Sequence, residues 1–466
     1  MRPRRSALVL AAAATTVVLV GAAPAQAGPP GSWTTISGPG VSSIVEPGLY
    51  RTADGTLHVS ITEAQPGNVS SINVAHVSAA GQLTGRHTAV TNWATQTQDT
   101  DIVGAPGGGM RLVFGGVRTT TTLDPYSEGY TYYASSDASG GVWTLAPNTA
   151  PAINNNAGYG SYGTGVTTLA DGTLVSAFPL NATITYQVGA GAPQSFNLPG
   201  CCAYDVSLVN DGGTVWAAWY SNGTGAANQG IFARTIYPAL GPVVQAPDSQ
   251  TNGSSLSTSQ AVAMAARAGG GVYLAYVKGY PNTKAVALWR IGDAKPKLVK
   301  HSKDADHVAL SAGPGGRLWL AFGDGHENVG AVHTNASATS FGALQTIKAP
   351  KGSTVYGVGV EGTSGRADIV FNNGTAILHT QALYGLNVKA NPGAIKAGKQ
   401  GKVTFTVTDA GDAVKGAKVK AKGKSCKTDK HGKCSITFPA LPPKPFDVRA
   451  TKSSYADGSV EIKVKN

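Results

Sequence analysis

The sequence predicts an all-β chain: a ring of repeated sheets, a β-propeller of seven blades with six as the alternative, followed by a small basic β-sandwich. Three observations predict it. A short phrase recurs seven times, in which a glycine turn leads into a strand that ends on a small residue and a large apolar one. Asp171-Gly172-Thr173-Leu174-Val175-Ser176-Ala177-Phe178 shows the phrase in full, and its other copies end at Ile61, Phe114, Trp219, Tyr276, Phe322 and Phe371, 41 to 64 residues apart. A strand-borne period of that length indicates a propeller or a similar array. The 466 residues include 61 glycines and many Thr and Val, with no amphipathic pattern at a helical period, which favours strands and turns. Charge is uneven. Residues 28–384 carry 17 Lys and Arg against 19 Asp and Glu, −2, whereas residues 385–466 carry 17 against 6, +11. The basic character therefore belongs to the tail.

The chain opens with the pattern of a secretory signal peptide over residues 1–27. Arg2, Arg4 and Arg5 precede an apolar, alanine-rich run from Leu8 to Val20, and Ala25-Gln26-Ala27 supplies a cleavage site. That run is too short for ~30 Å of hydrocarbon, and no later stretch approaches 18 apolar residues. The expectation is an exported protein of bacterial style, secreted or associated with the cell wall. No transmembrane segment is expected after signal removal.

Residues 28–384 read as the ring. Each repeat supplies an inner strand before the glycine turn, the signature strand after it, a third strand and an outer strand near a proline. Val206–Val209, Thr214–Trp219, Gly230–Arg234 and Pro242–Pro247 are one such set. One four-stranded blade cannot bury both faces, but a closed ring of them can. The last repeat supplies only three strands, at Val358–Val360, Ala367–Phe371 and Ala376–His379. Ser32–Ile36 is predicted to add the fourth and close the ring.

Ser135-Ser136-Asp137-Ala138-Ser139-Gly140-Gly141-Val142-Trp143 resembles the Asp-box turn of sialidase-like propellers, with a degenerate copy over Thr334–Phe341. The resemblance implies a structural turn at these positions. It also prompts a search for that family's chemistry, an arginine trio with an acid and a tyrosine-glutamate pair. Tyr50-Arg51-Thr52-Ala53 occupies the place of the family's opening motif but lacks its Ile-Pro. Arg111, Arg118, Arg234, Arg267, Arg290, Arg317 and Arg366 share no register, and the last two follow a turn glycine, which suggests solvated positions. Fold does not by itself bring function.

Other motifs are weak. Gly158–Gly163 matches a dinucleotide loop, but no helix follows it. His326-Glu327 lacks the second histidine of a zinc helix, and no serine sits in a nucleophile elbow. No cofactor and no metal are expected.

The connections entering the inner strands carry the candidate ligand-binding residues: Asp99, Asp101, Tyr159, Tyr162, Tyr204, Asp205, Asp306, His307 and Tyr356. Counting back from the glycine turns places Asp101, Asp205 and His307 at nearly equivalent positions. Such connections reach the rim of a propeller's channel, where sites collect on a rigid scaffold. Aspartates with tyrosines suit sugar hydroxyls or a cation. The alternative is that the aspartates cap their own loops.

Four cysteines in an exported chain imply pairing. Cys426 and Cys434 flank a turn and read as partners across a hairpin. That leaves Cys201 and Cys202 to bond each other or to stay as thiols.

In the tail, Val403–Asp409 alternates as a half-buried strand does. Ala413-Val414-Lys415-Gly416-Ala417-Lys418-Val419, followed by Thr428-Asp429-Lys430-His431-Gly432, resembles bacterial immunoglobulin-like and carboxypeptidase-regulatory-like sandwich domains. The resemblance implies a spacer or adhesion module. Lys415, Lys418, Lys420, Lys422 and Lys424 crowd one hairpin. They mark a solvent face or a contact with an anionic cell-envelope polymer. No aromatic interleaving or motif points to nucleic acid.

Three functions are carried forward. The first is a non-catalytic binding or adhesion protein whose ring takes an extracellular glycan or another ligand. The second is a sialidase-like glycoside hydrolase or other carbohydrate-active enzyme. The third is a structural envelope protein with a protein partner.

Overall fold

The computed structural model describes residues 31–466 except 94, 97–98, 119–123, 127–128, 154–162, 181, 199–202, 250–261, 280–283, 324–326 and 363–364. Residues 1–27 and the cysteines at 201 and 202 therefore lie outside the described residues. Strands account for nearly all the regular structure, and no described helix is long and apolar enough to cross a membrane.

Among the described residues, seven antiparallel sheets follow one another along the chain up to Ala382. Sheet 1 is Gly48–Arg51, Leu57–Gln65, Val69–Val77 and Leu83–Trp93. Sheet 2 is Asp101–Gly104, Met110–Val117, Tyr130–Ser136 and Trp143–Leu145, with Thr95–Gln96 also paired to its second strand. Sheet 3 is Gly165–Thr168, Leu174–Leu180, Thr183–Val188 and Gln194–Asn197. Sheet 4 is Ala203–Asp211, Thr214–Asn222, Gln229–Tyr237 and Val244–Gln245. Sheet 5 is Ala263–Ala266, Val272–Lys278, Ala285–Arg290 and Lys297–Leu298. Sheet 6 is His307–Ala312, Leu318–Gly323, Asn328–His333 and Gln345–Lys348.

Sheet 7 holds Gly357–Glu361, Ala367–Asn372 and Ile377–Ala382, and its fourth strand is Thr34–Thr35. Thr34 pairs with His379, and Ile36 donates to Ile377 O at 2.9 Å. The predicted closing strand thus occupies its place. The first strands neighbour one another in chain order, and that of sheet 7 meets that of sheet 1, so the ring is closed. The second strands are largely buried because both their faces are covered. Leu318–Gly323 and Ala367–Asn372 are entirely buried.

The ring has two ends. Connections from strand 1 to 2 and from strand 3 to 4 lie at one, called here the turn end. Connections from strand 2 to 3 and from each sheet to the next lie at the other, the entry end.

Beyond the ring, Gly401–Asp409 pairs with Asn387–Asn391, Asp412–Ala413 and Lys433–Phe438. Ala394–Lys396, Gly458–Lys465, Phe446–Thr451, Lys418–Ala421 and Lys424–Lys427 make a second sheet. The two enclose one core that includes Val403, Phe405, Val419, Phe438, Val448 and Ile462. Cys426 bonds Cys434, with Cα atoms 5.9 Å apart. The pair does not bridge one hairpin, because the two strands belong to different sheets. The bond staples the sheets together near their edge.

Candidate functional site

The candidate residues that fall among the described positions gather at the entry end, because each begins an inner strand or immediately precedes one. Tyr159 and Tyr162 lie outside the described residues, as does the side chain of Asp205. His307 starts the inner strand of sheet 6, paired with Gly323. Its Nδ1 lies 2.7 Å from Asp306 Oδ1, and the imidazole is 9% exposed while the carboxylate is 33% exposed. Tyr356 precedes the inner strand of sheet 7, is 40% exposed, and donates its backbone N–H to Asn372 O. Tyr204 is half-buried in sheet 4 opposite Tyr220, with ring centroids 6.3 Å apart.

Asp99 and Asp101 enter sheet 2. Burial pushes the Asp99 carboxyl well above the usual carboxylate range, and the neighbouring Asp101 adds to the rise. Burial raises Asp101 also, opposed by the hydrogen bond it accepts from the Val166 backbone of sheet 3. Both acids at the start of this inner strand are therefore harder to ionise than free carboxylates.

The strand ladders sharpen the expected near-equivalence of Asp101, Asp205 and His307. Phe322, which ends the recurring phrase in sheet 6, pairs with Val308, so His307 lies one residue before that partner. In sheet 2, Asp101 pairs with Val113, one residue short of Phe114. Extending that ladder makes Asp99, not Asp101, the counterpart of His307. Tyr204, opposite Tyr220, holds the same place in sheet 4. The same register in sheet 1 reaches Glu46, which forms a bridge with Asp99. Sequence reasoning missed Glu46, although counting back from Ile61 as from Phe322 would have found it. The candidates thus fall in three groups at one end of the ring: Glu46 with Asp99 and Asp101, Tyr204, and Asp306 with His307 beside Tyr356.

The arginines are dispersed around the ring, so they assemble no anion-binding trio among the described residues. Arg51 reaches Glu361 and Asp368 of sheet 7 and is 5% exposed. Arg118 pairs with Asp124 at 3.0 Å. Arg234 lies 4.7 Å from the Phe196 ring of sheet 3, and Arg267 donates to Ala336 O of sheet 6 at 2.9 Å. Arg290 is exposed. Arg366 donates to Gln381, which in turn reaches Ala79 O of sheet 1. The expectation that Arg317 and Arg366 are solvated is not met. Arg317 is 13% exposed and bonds Asp409 and Asp412 of the tail, and Arg366 is half-buried. Arg317, beside its turn glycine, is placed to cross to the tail, and packing there excludes most water from it.

The Ser135–Trp143 segment is a turn whose parts serve packing. Asp137 Oδ1 accepts from Ser139 N at 3.0 Å, and Trp143 Nε1 donates to Gly140 O at 2.9 Å. Gly140 has φ +66°, and a Cβ there would lie 2.7 Å from His76 and 2.9 Å from His58 of sheet 1. Those histidines form a chain: His58 Nδ1 to His76 Nδ1 at 2.9 Å, and His76 Nε2 to His87 Nδ1 at 2.8 Å. Burial pushes both His58 and His76 down to about 4, so the inner part of the chain is neutral at physiological pH. Within the described residues no group of three or more His, Cys, Asp or Glu could hold a metal ion.

The tail meets the ring at the turn end. Arg317 of sheet 6 reaches Asp409 and Asp412, Asp412 accepts from Ala336 N at 2.8 Å, and Gln345 donates to Leu383 O. Tyr384 stacks on Trp319 with centroids 5.3 Å apart and meets Tyr455 at 5.4 Å. In the tail, Lys415, Lys418, Lys420, Lys422 and Lys424 are all exposed. Lys418 stands directly opposite Lys427 on the paired strand, an arrangement that costs stability when no anion is near.

No family model matches the chain, and no curated protein matches it. Solved structures with a related backbone path include a catalytically inactive virginiamycin B lyase from Staphylococcus aureus with quinupristin. It is 12% identical, covers 75% of this chain and 99% of its own, and has a TM-score of 0.46. An α-L-arabinanase from Penicillium chrysogenum with arabinobiose is 12% identical, covers 62% and 92%, and has a TM-score of 0.40.

Proposed function

We propose that this chain is an exported, non-catalytic binding or adhesion protein. In this reading residues 1–27 direct export and residues 28–384 form a seven-bladed propeller that takes an extracellular glycan on its entry end. Residues 385–466 form an immunoglobulin-like sandwich whose lysines contact an anionic envelope polymer. The observation that supports it best is the placement of the two units. The tail is anchored at the turn end, through Arg317 and Tyr384, and so leaves the end bearing Asp306, Tyr204 and Tyr356 uncovered by it. A chain held to a surface through its tail would then present its binding face outward. The Lys418–Lys427 juxtaposition adds support, since a bound polyanion would relieve it.

Glycan-array binding of the chain tests the reading. Binding that is lost in Asp306→Asn and Tyr356→Ala, with melting unchanged, is the expected result. A partner that proves to be a protein, with no glycan bound, would replace it with the envelope-scaffold alternative.

A second reading has one observation in its favour. The Asp306–His307 pair and the raised carboxyls of Asp99 and Asp101 resemble acid–base machinery. Hydrolysis of a bound glycan, abolished by His307→Gln, would establish an enzyme of the carbohydrate-active class.

A further inference from the structure

A groove of about 660 Å³ opens between sheets 2 and 3 at the turn end, away from the entry-end residues. Its size lies within the range of small-molecule sites. Arg111 lines it from the second strand of sheet 2. The guanidinium donates Nη1 to Gly172 O at 2.7 Å and lies 5.8 Å from the Tyr133 ring centroid. No other hydrogen bond from Arg111 forms among the described residues, so most of its five N–H donors remain available. Among the described residues no acid lines the groove. The nearest carboxylate along the chain, Asp171, is turned to the Thr173 N–H at 2.9 Å.

Arg111 differs in this from Arg51, Arg118 and Arg317, each of which meets a carboxylate of its own chain. A half-buried guanidinium without one provides an anion site with directional, forked donors. The walls around it mix two kinds of surface. Pro151, Leu174 and Pro193 are apolar, while Thr149, Thr173 and Gln187 carry hydroxyl and amide groups. A sugar ring presents the same mixture of C–H faces and hydroxyl edges. A bare inorganic anion would leave the apolar wall unused.

We infer that this groove binds a sugar acid, with its carboxylate on Arg111 and its ring between the proline and threonine walls. The inference is independent of the entry-end site, since the two share no residue.

Calorimetric titration of the full chain with glucuronate, glucose and N-acetylalanine tests it. Glucuronate should bind saturably, and glucose roughly tenfold or more weakly, because only glucuronate carries the charge-assisted bond. Arg111→Gln should bring glucuronate down to the level of glucose. Ala150 is exposed at the mouth, so Ala150→Trp should block binding without lowering the melting temperature. That variant keeps the test valid if Arg111→Gln loosens the contact with Gly172. Three results would overturn the inference: no glucuronate binding, binding that survives Ala150→Trp, or binding of glucose or N-acetylalanine as tight as that of glucuronate.

Discussion

Arg51 and Arg317 each reach two carboxylates at the turn end, and in each case one of those carboxylates also meets a histidine. Arg51 joins sheet 1 to Glu361 and Asp368 of sheet 7, and Asp368 Oδ1 lies 2.8 Å from His379 Nε2. Arg317 joins sheet 6 to Asp409 and Asp412 of the tail, and Asp409 Oδ1 lies 3.0 Å from His333 Nε2. The first contact is a hydrogen bond, whereas the second lacks the angle of one. Similar chemistry thus serves two purposes. One knot ties together residues more than 300 positions apart and helps to close the ring. The other attaches a unit that has a core of its own. Its carboxylate Asp412 and its tyrosine Tyr455 are half-exposed. The lesson is that a buried ion pair secures position as much as stability, because its geometry tolerates one arrangement only.

The largest expected effect comes from breaking the ring knot. Arg51→Met leaves Glu361 and Asp368 buried without their cation and should cost about 3–5 kcal/mol, read as lost denaturant resistance of the whole ring. Replacing Arg51, Glu361 and Asp368 together by apolar residues should recover much of that loss. If the triple variant is no better than Arg51→Met, the knot contributes more than charge pairing.

The matching change in the tail knot should act differently. Burial alone would raise Asp409, yet His333 and Arg317 hold it below the usual carboxylate range. Its contribution is therefore present above about pH 4 and lost as pH falls through its lowered value. Asp409→Asn should free the tail while the ring still melts as before, seen as two separate calorimetric transitions and faster proteolysis near Gly385. A single unchanged transition would mean that Tyr384, Trp319 and Tyr455 hold the tail without the ions.

A change at the entry end reverses the sign. Because Asp99 is raised on folding, the stability tied to its proton is present below about pH 4 and declines as pH rises through its raised value. Asp99→Asn should therefore raise the melting temperature at pH 8 and leave it unchanged at pH 4. The smallest effect belongs to the tail surface. Lys427→Glu should stabilise the isolated strand pair by roughly 0.2–1 kcal/mol and weaken retention on a polyanion column.

Much of the architecture could be read in advance. The seven turns, the strand order within each sheet and the closing role of Thr34–Thr35 all rest on local patterns. Glycine turns and alternating apolar residues act over a few neighbours, so one chain displays them directly. The entry-end residues were legible for the same reason, since they sit a countable distance before each turn. Asp99 replaced Asp101 because register is set by ladder pairing, and a difference of two residues leaves the pattern of faces unchanged.

What the sequence by itself determined was the all-β character, the repeat, the uneven charge and the Cys426–Cys434 partnership. Only the tertiary structure decided what the charges do. Whether an arginine is solvated, bonded to a distant aspartate as Arg317 is, or left available in a groove as Arg111 is, depends on residues that folding brings near. Coulomb energy and desolvation both vary with that surrounding, and no local pattern in the chain records it.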